Sequence, residues 1–225
     1  MNKVFKLFSG LLPGVEGPGV RSSQGAWQQV FLRQSHIDGA CGQHCLFMAL
    51  MMLGVFGRDE VLGTKRRKSW LLSHVKKRSQ SFHFEGTTVR SLRHIVAPLR
   101  KMLDCESSNT TDNAIRDFSL MQLHKGRLVV VGLENHGRGM WHWVLAIGVA
   151  GEQKRERFVP THLLLLDPDV GIPPGNLWNS TVTVNALTRG GRFRLVANSY
   201  GEESKAVFSG AVAIGLKNTG HNDHY

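Results

Sequence analysis

Two spacings of apolar residues divide this chain. Between about residues 42 and 124 they recur at helical intervals. The segment 42–53, Gly-Gln-His-Cys-Leu-Phe-Met-Ala-Leu-Met-Met-Leu, is apolar on nearly every side, which predicts an enclosed central helix. Gly54 and Gly57 supply its stop. A short basic helix is expected over 69–77. Val89, Leu92, Ile95, Val96, Leu99 and Leu103 recur at three and four, the pattern of an amphipathic helix over 87–103 that Pro98 should kink or split. Over 112–124, Ala114, Ile115, Phe118 and Met121 share one face, with Asp112 as cap. From residue 127 the pattern changes to short apolar runs at 127–133, 141–149, 158–166, 181–184, 192–197 and 206–214, which read as strands. Helices first and strands second predict an α+β domain, a helical half packed on an antiparallel sheet.

The flanks read differently. Residues 13–26 are rich in Gly, Pro and Ser and read as a linker, and 27–32 as a short strand or extended lead-in. Residues 1–12, with Lys3 and Lys6 before a short broken apolar run, read as an amphipathic or disordered arm and not as a signal peptide. The expected organisation is therefore an arm and linker over 1–26, one domain over 27–217 and a loose polar tail over 218–225.

Composition narrows the class. The 225 residues are 41% hydrophobic, ordinary for a chain with a real core, and no uninterrupted 18-residue apolar window predicts a membrane span. Three cysteines, Cys41, Cys45 and Cys105, do not make a disulfide framework, so reduced thiols and a cytoplasmic location are expected. The net charge is +11, and its excess clusters at 65–68, 76–78, Arg90, Arg93, Arg100 and Lys101. Such a region either attracts nucleic acid, acidic membrane or an acidic protein, or is a solvated face that aids solubility. It lacks the alternation of basic and aromatic residues that a base-stacking platform needs.

The chemistry concentrates at residues 34–46, Gln-Ser-His-Ile-Asp-Gly-Ala-Cys-Gly-Gln-His-Cys-Leu. Cys41 falls where the central helix begins. A thiol there sits in positive potential, which favours the reactive thiolate. A cysteine nucleophile needs a base, and the base an orienting group. Of eleven histidines, His142 opens a predicted strand and Asp167 closes the next, with a charged turn-like stretch at 151–157 between them. In an antiparallel hairpin, opposed residues share one index sum. A sum of 309 centres the turn at 154.5 and sets His142 opposite Asp167, with Cβ atoms about 4.5–5.5 Å apart. A bulge would shift that register. Gln34 and the Cys41 N–H are the expected oxyanion donors. Asp169 is the alternative acid. Cys45, one helical turn past Cys41, reads as core. His36, His44 and His136 with Asp38, Cys41 and Cys45 make a poor zinc signature. Gly190-Gly191 reads as a tight turn, with self-processing as the other reading.

Cys41-Gly-x-x-Cys45-Leu, an upstream Gln34, His142-x-Val on a strand, and Asp167-Pro168-x-x-Gly171 together resemble the C39-type peptidases of the papain-like superfamily, which include the bacteriocin-processing proteases. The resemblance spans about residues 27–175 and rests on the order of the motifs. It departs at Ala40, where an acid is common, and at Gln34, one residue further upstream than usual. It implies a papain-like fold, Cys41 as nucleophile, His142 as base, Asp167 as orienting acid and Gln34 as oxyanion donor. It further implies a protein or peptide substrate, in several members cut after Gly-Gly, and no cofactor. A basic, free-standing peptidase suits a bacterial toxin or effector acting in another cell, with an inhibitor or immunity protein as acidic partner for the 65–101 region. The alternative is a non-catalytic basic module that binds nucleic acid or an acidic protein.

Overall fold

A computed structural model describes residues 2–22, 24–34, 39–64, 69–82, 86–135, 141–186 and 193–217. The helices α1 (Cys41–Met52), α2 (Arg58–Leu62), α3 (Trp70–Gln80) and α4 (Val89–Val96) come before most of the sheet, and α5 (Asp112–His124) follows β4 (Leu103–Ser108). The sheet's remaining strands are β5 (Leu128–Asn135), β6 (Trp141–Lys154), β7 (Arg157–Leu166), β8 (Ser180–Thr183), β9 (Arg194–Asn198) and β10 (Glu203–Leu216). All pairings are antiparallel, and β5-β6-β7-β8-β9-β10 closes on itself through β10–β5. The chain is thus α+β with a closed antiparallel sheet. Among the described residues no helix is long and apolar enough to cross a membrane.

The run Leu163-Leu164-Leu165-Leu166 shows why these strands read as continuous apolar stretches. Leu163 and Leu165 point into the closed sheet with Val131, Val144, Ala146 and Phe208, where Ile115 of α5 joins them. Leu164 and Leu166 point to the opposite face, with Trp143, Leu145 and Ile147, and pack under the helices. A strand buried on both faces loses its alternation. On the helix side α1 supplies Leu46, Met48, Leu50 and Met51, all fully buried. At about 1.5–3 kcal/mol per buried large side chain, this helix is held by its surroundings and not by its own amphipathicity. Gly54, at φ +69, ends it. Gly57 does not end it and instead stands at the N-cap of α2.

Residues 1–26 are not an arm and linker. β1 (Asn2–Leu7) extends the sheet by pairing with the second half of β6, Lys6 opposite Val149 and Leu7 opposite Gly148. Gly148 permits the approach, since a Cβ there would lie 2.4 Å from the Lys6 carbonyl oxygen. An edge strand with mostly exposed side chains carries no apolar stripe, so the spacing of its residues does not mark it. β2 (Gly19–Arg21) pairs with β3 (Trp27–Gln29) as a separate two-stranded piece.

Other expectations shift in detail. α3 begins after Ser69, whose hydroxyl caps Leu72 N–H. The 87–103 helix is split, as Pro98 required: α4 gives way to a 3₁₀ turn at Ala97–Leu99, and Leu103 already belongs to β4. On α5 the buried residues are Ile115, Ser119 and Gln122, while Ala114 and Met121 are exposed. Thr111, not Asp112, caps it. The Asp112 carboxylate instead receives the buried Arg194 guanidinium and the Phe208 N–H.

Candidate active site

Cys41 is the first residue of α1 and is 7% exposed. Its position over the sheet is set by the residue after His142. The Trp143 N–H donates to Cys41 Sγ at 3.4 Å, and the Cys45 thiol donates to the Trp143 carbonyl at 3.3 Å. The two cysteines, one turn apart, thus grip both ends of one residue's backbone. The Trp143 indole N–H donates to the Thr87 carbonyl at 2.8 Å, tying the lead-in to α4 to the same point. Gly42 makes the packing possible: a Cβ would lie 2.0 Å from Thr87 Oγ1 and 3.1 Å from Trp143 Cδ1. The Thr87 hydroxyl is buried without a hydrogen-bond partner among the described residues.

His142 Nε2 lies 2.6 Å from Asp167 Oδ1, with 19% and 10% of the side chains exposed. The contact is reached by a different register from the one expected. The β6–β7 turn falls at Arg155 and Glu156, one residue later than the predicted centre, with Arg155 at φ +53. Leu145 pairs with Leu166, an index sum of 311 rather than 309. Continued one step past the end of β7, that register sets Asp167 opposite Val144. Residues 142 and 144 share a face of the strand, so Asp167 still reaches His142, on the diagonal. Bulges at Ala146/Gly148 and Ala150/Gly151 shift the pairing by one and back, so the face is kept.

With Nε2 engaged by Asp167, Nδ1 is the ring nitrogen left to face the Cys41 sulfur, which interacts with the imidazole. Burial of the ring disfavours its charge. The Asp167 carboxylate and the Cys41 sulfur outweigh that and push the His142 pKa up to about 10. An imidazolium between a carboxylate and a sulfur is the result. Cys45 is different: burial first, then the charges of Cys41 and Asp167, hold its pKa well above the usual thiol value. It is fully buried and stays a thiol.

Asp167 rather than Asp169 faces His142, and the Asp169 N–H donates to Asp167 Oδ1 at 2.9 Å. Asn179, fully buried, fixes the backbone of Asp167 from both sides. Its Oδ1 accepts from Asp167 N–H at 2.7 Å, and its Nδ2 donates to the Asp167 and Val170 carbonyls at 2.8 Å each. Neither Asn179 nor Trp143 was singled out from sequence. A lone asparagine beside a tryptophan carries no spacing signal, and both act through backbone groups.

Gln34 is attached to the same turn: its N–H donates to the Pro168 carbonyl at 2.8 Å, and its side-chain Oε1 is buried without a partner among the described residues. Among the described residues its amide makes no hydrogen bond to Cys41. His44 Nδ1 bonds back to the Ala40 carbonyl at the start of its own helix. His36, Asp38, His136, Gly190-Gly191 and the basic run 65–68 lie outside the described residues. Lys77, Arg90, Arg93, Arg100 and Lys101 are exposed along α3, α4 and the turn after them. No protein-family model matches this chain, and no curated protein matches it in sequence.

Proposed function

We propose that this chain is a papain-like cysteine peptidase. The observation that supports the reading best is the Cys41–His142–Asp167 cluster, in which the His142–Asp167 hydrogen bond and the interaction of His142 with Cys41 join a strand start and a strand end to a helix start about a hundred residues earlier in the chain. That is the geometry an activated thiol requires: nucleophile, base within reach, and a carboxylate that holds the ring.

In this reading the Cys41 thiolate, paired with the His142 imidazolium, attacks the scissile carbonyl carbon and forms the C–S bond. Negative charge moves to the carbonyl oxygen, which takes hydrogen bonds from the Cys41 N–H at the start of α1 and from the Gln34 side-chain amide. His142 gives its Nδ1 proton to the leaving amine as the C–N bond breaks. The neutral ring then takes a proton from water, which attacks the thioester and releases Cys41. Asp167 keeps the ring oriented and stabilises its charge throughout, while Asn179 keeps Asp167 from turning away.

The test is proteome-wide identification of new protein termini with the wild type and with Cys41→Ala. The wild type generates a defined set of termini and the variant, folded by circular dichroism, none. An identical set from Cys41→Ala refutes the assignment.

A further inference from the structure

The sheet face beneath Cys41 continues past the reactive groups. On it, Gly132 pairs with Trp143, directly under Gly42 and Thr87. The next rung outward on the same face is Glu134 paired with Trp141, about 6.7 Å further along the strands. Among the described residues no helix covers that rung. Trp141 is 63% exposed, the Glu134 side chain is only partly buried, and no salt bridge engages Glu134 among the described residues. A large exposed indole beside a carboxylate with no salt bridge among the described residues is an uncommon surface on a chain of net charge +11.

We infer that Glu134 and Trp141 form a subsite for a lysine or arginine side chain on the leaving-group side of the scissile bond. The inference rests on the peptidase reading. His142 delivers the proton to the leaving amine, so the residues that follow the scissile bond lie on the His142 side of Cys41. Trp141 precedes His142 on the same strand, with its side chain on the face of Trp143, the one beneath Cys41. A long cationic side chain can lay its alkyl stem and charge over the indole face and bring its head to the carboxylate, and both interactions strengthen together. An aliphatic residue would use only the indole and an acidic one would be repelled. Lys77, Arg90, Arg93, Arg100 and Lys101 do not compete, because they project from α3, α4 and the turn that follows.

The experiment is cleavage of a proteome-derived peptide library by the wild type, Trp141→Ala, Glu134→Gln and Glu134→Lys, with iodoacetamide alkylation of Cys41 measured in parallel. The wild type should enrich lysine and arginine at the first or second position after the cut. Trp141→Ala and Glu134→Gln should each lower kcat/KM for such peptides about two- to fivefold relative to peptides with glycine there, and Glu134→Lys should turn the preference toward acidic residues. Alkylation rates should stay equal in all four, since that reaction has no leaving-group residue. Cleavage by the wild type without a basic preference, or a preference unchanged in Glu134→Lys, overturns the subsite and leaves the peptidase reading standing. No cleavage of any peptide by wild type refutes that reading and the subsite with it.

Discussion

Asp167→Asn isolates the charge at the centre of the site. The amide has the same shape and its oxygen can still accept from His142 Nε2 and the Asp169 N–H, so the hydrogen bonds survive while the negative charge is lost. In the wild type His142 is pushed from an ordinary 6.5 to about 10 against the cost of burying it, with Asp167 the larger of its two supports and Cys41 the smaller. That interval corresponds to roughly 5 kcal/mol at 1.36 kcal/mol per pH unit. Removing one partner of a buried ion pair costs about 3–5 kcal/mol by a separate route. Because the folded value lies above the unfolded one, the stabilisation is fully present below pH 6.5 and is lost as the pH rises through about 10. In the variant the ring is left with burial, which disfavours its charge, and the weaker support of Cys41. Urea unfolding of both proteins from pH 6 to pH 10.5 reads this directly. Asp167→Asn should be less stable by about 3–5 kcal/mol at pH 6, and the two curves should converge toward pH 10. Cys41 alkylation near neutral pH should slow in the same variant, because the imidazolium beside its sulfur is depleted. A stability gap that stays constant across the whole pH range would show that Asp167 acts as a packing or hydrogen-bonding group alone, and the charge argument would fail.

Two further substitutions probe the scaffold under these groups. Gly42→Ala places a Cβ 2.0 Å from Thr87 Oγ1, so the start of α1 must move. The expected cost is about 1–3 kcal/mol in urea unfolding, with slower Cys41 alkylation as the thiol is displaced from Trp143; wild-type values for both would mean the contact relaxes freely. Asn179→Ala strips the Asp167 N–H and the Asp167 and Val170 carbonyls of their partner in a buried place. It should cost about 2–4 kcal/mol, and proton NMR should show the His142 pKa falling as Asp167 loses its fixed position. A destabilised variant with an unmoved His142 titration would make Asn179 a structural residue only.

The core of this architecture was legible because it obeys simple periods. The all-round apolar stretch at 42–53 could only be an enclosed helix, and Pro98 could only break the helix it sits in. The run Leu163–Leu166 marks its strand because it is buried on both faces. What escaped were elements without an apolar stripe: β1, whose side chains are mostly exposed, and β4, whose Asp104, Glu106 and Ser107 hide its pairing with β10. The α5 face was misplaced because Ser119 and Gln122 are buried there by hydrogen bonds, Ser119 to the Ile115 carbonyl and Gln122 to Glu106, and hydrophobicity does not see them. At the site, the face of the His142–Asp167 contact was deducible although its register was not. A turn one residue later moves the index sum by two, and a shift of two preserves the face of a strand.

That arithmetic explains why the site tolerates an uncertain hairpin yet not an uncertain helix. Along a strand an error of two residues leaves His142 and Asp167 on one side, within diagonal reach. Along a helix, one residue rotates the thiol by 100°, so the register of α1 over the sheet needs a separate lock. Cys45 supplies part of it. Alone, a Trp143 N–H pointing at Cys41 fixes one distance and lets the helix pivot; with the Cys45 thiol on the carbonyl of the same residue, two points one turn apart are fixed on one rigid backbone unit. The indole's bond to Thr87 then stops Trp143 itself from turning. Cys45 is therefore more than core filling. Its raised pKa, imposed by burial and by the neighbouring charges, keeps it protonated, and only a protonated sulfur can donate to that carbonyl. The two cysteines, four residues apart on one helix, are thus tied to the backbone of Trp143 in opposite senses, Cys41 accepting and Cys45 donating.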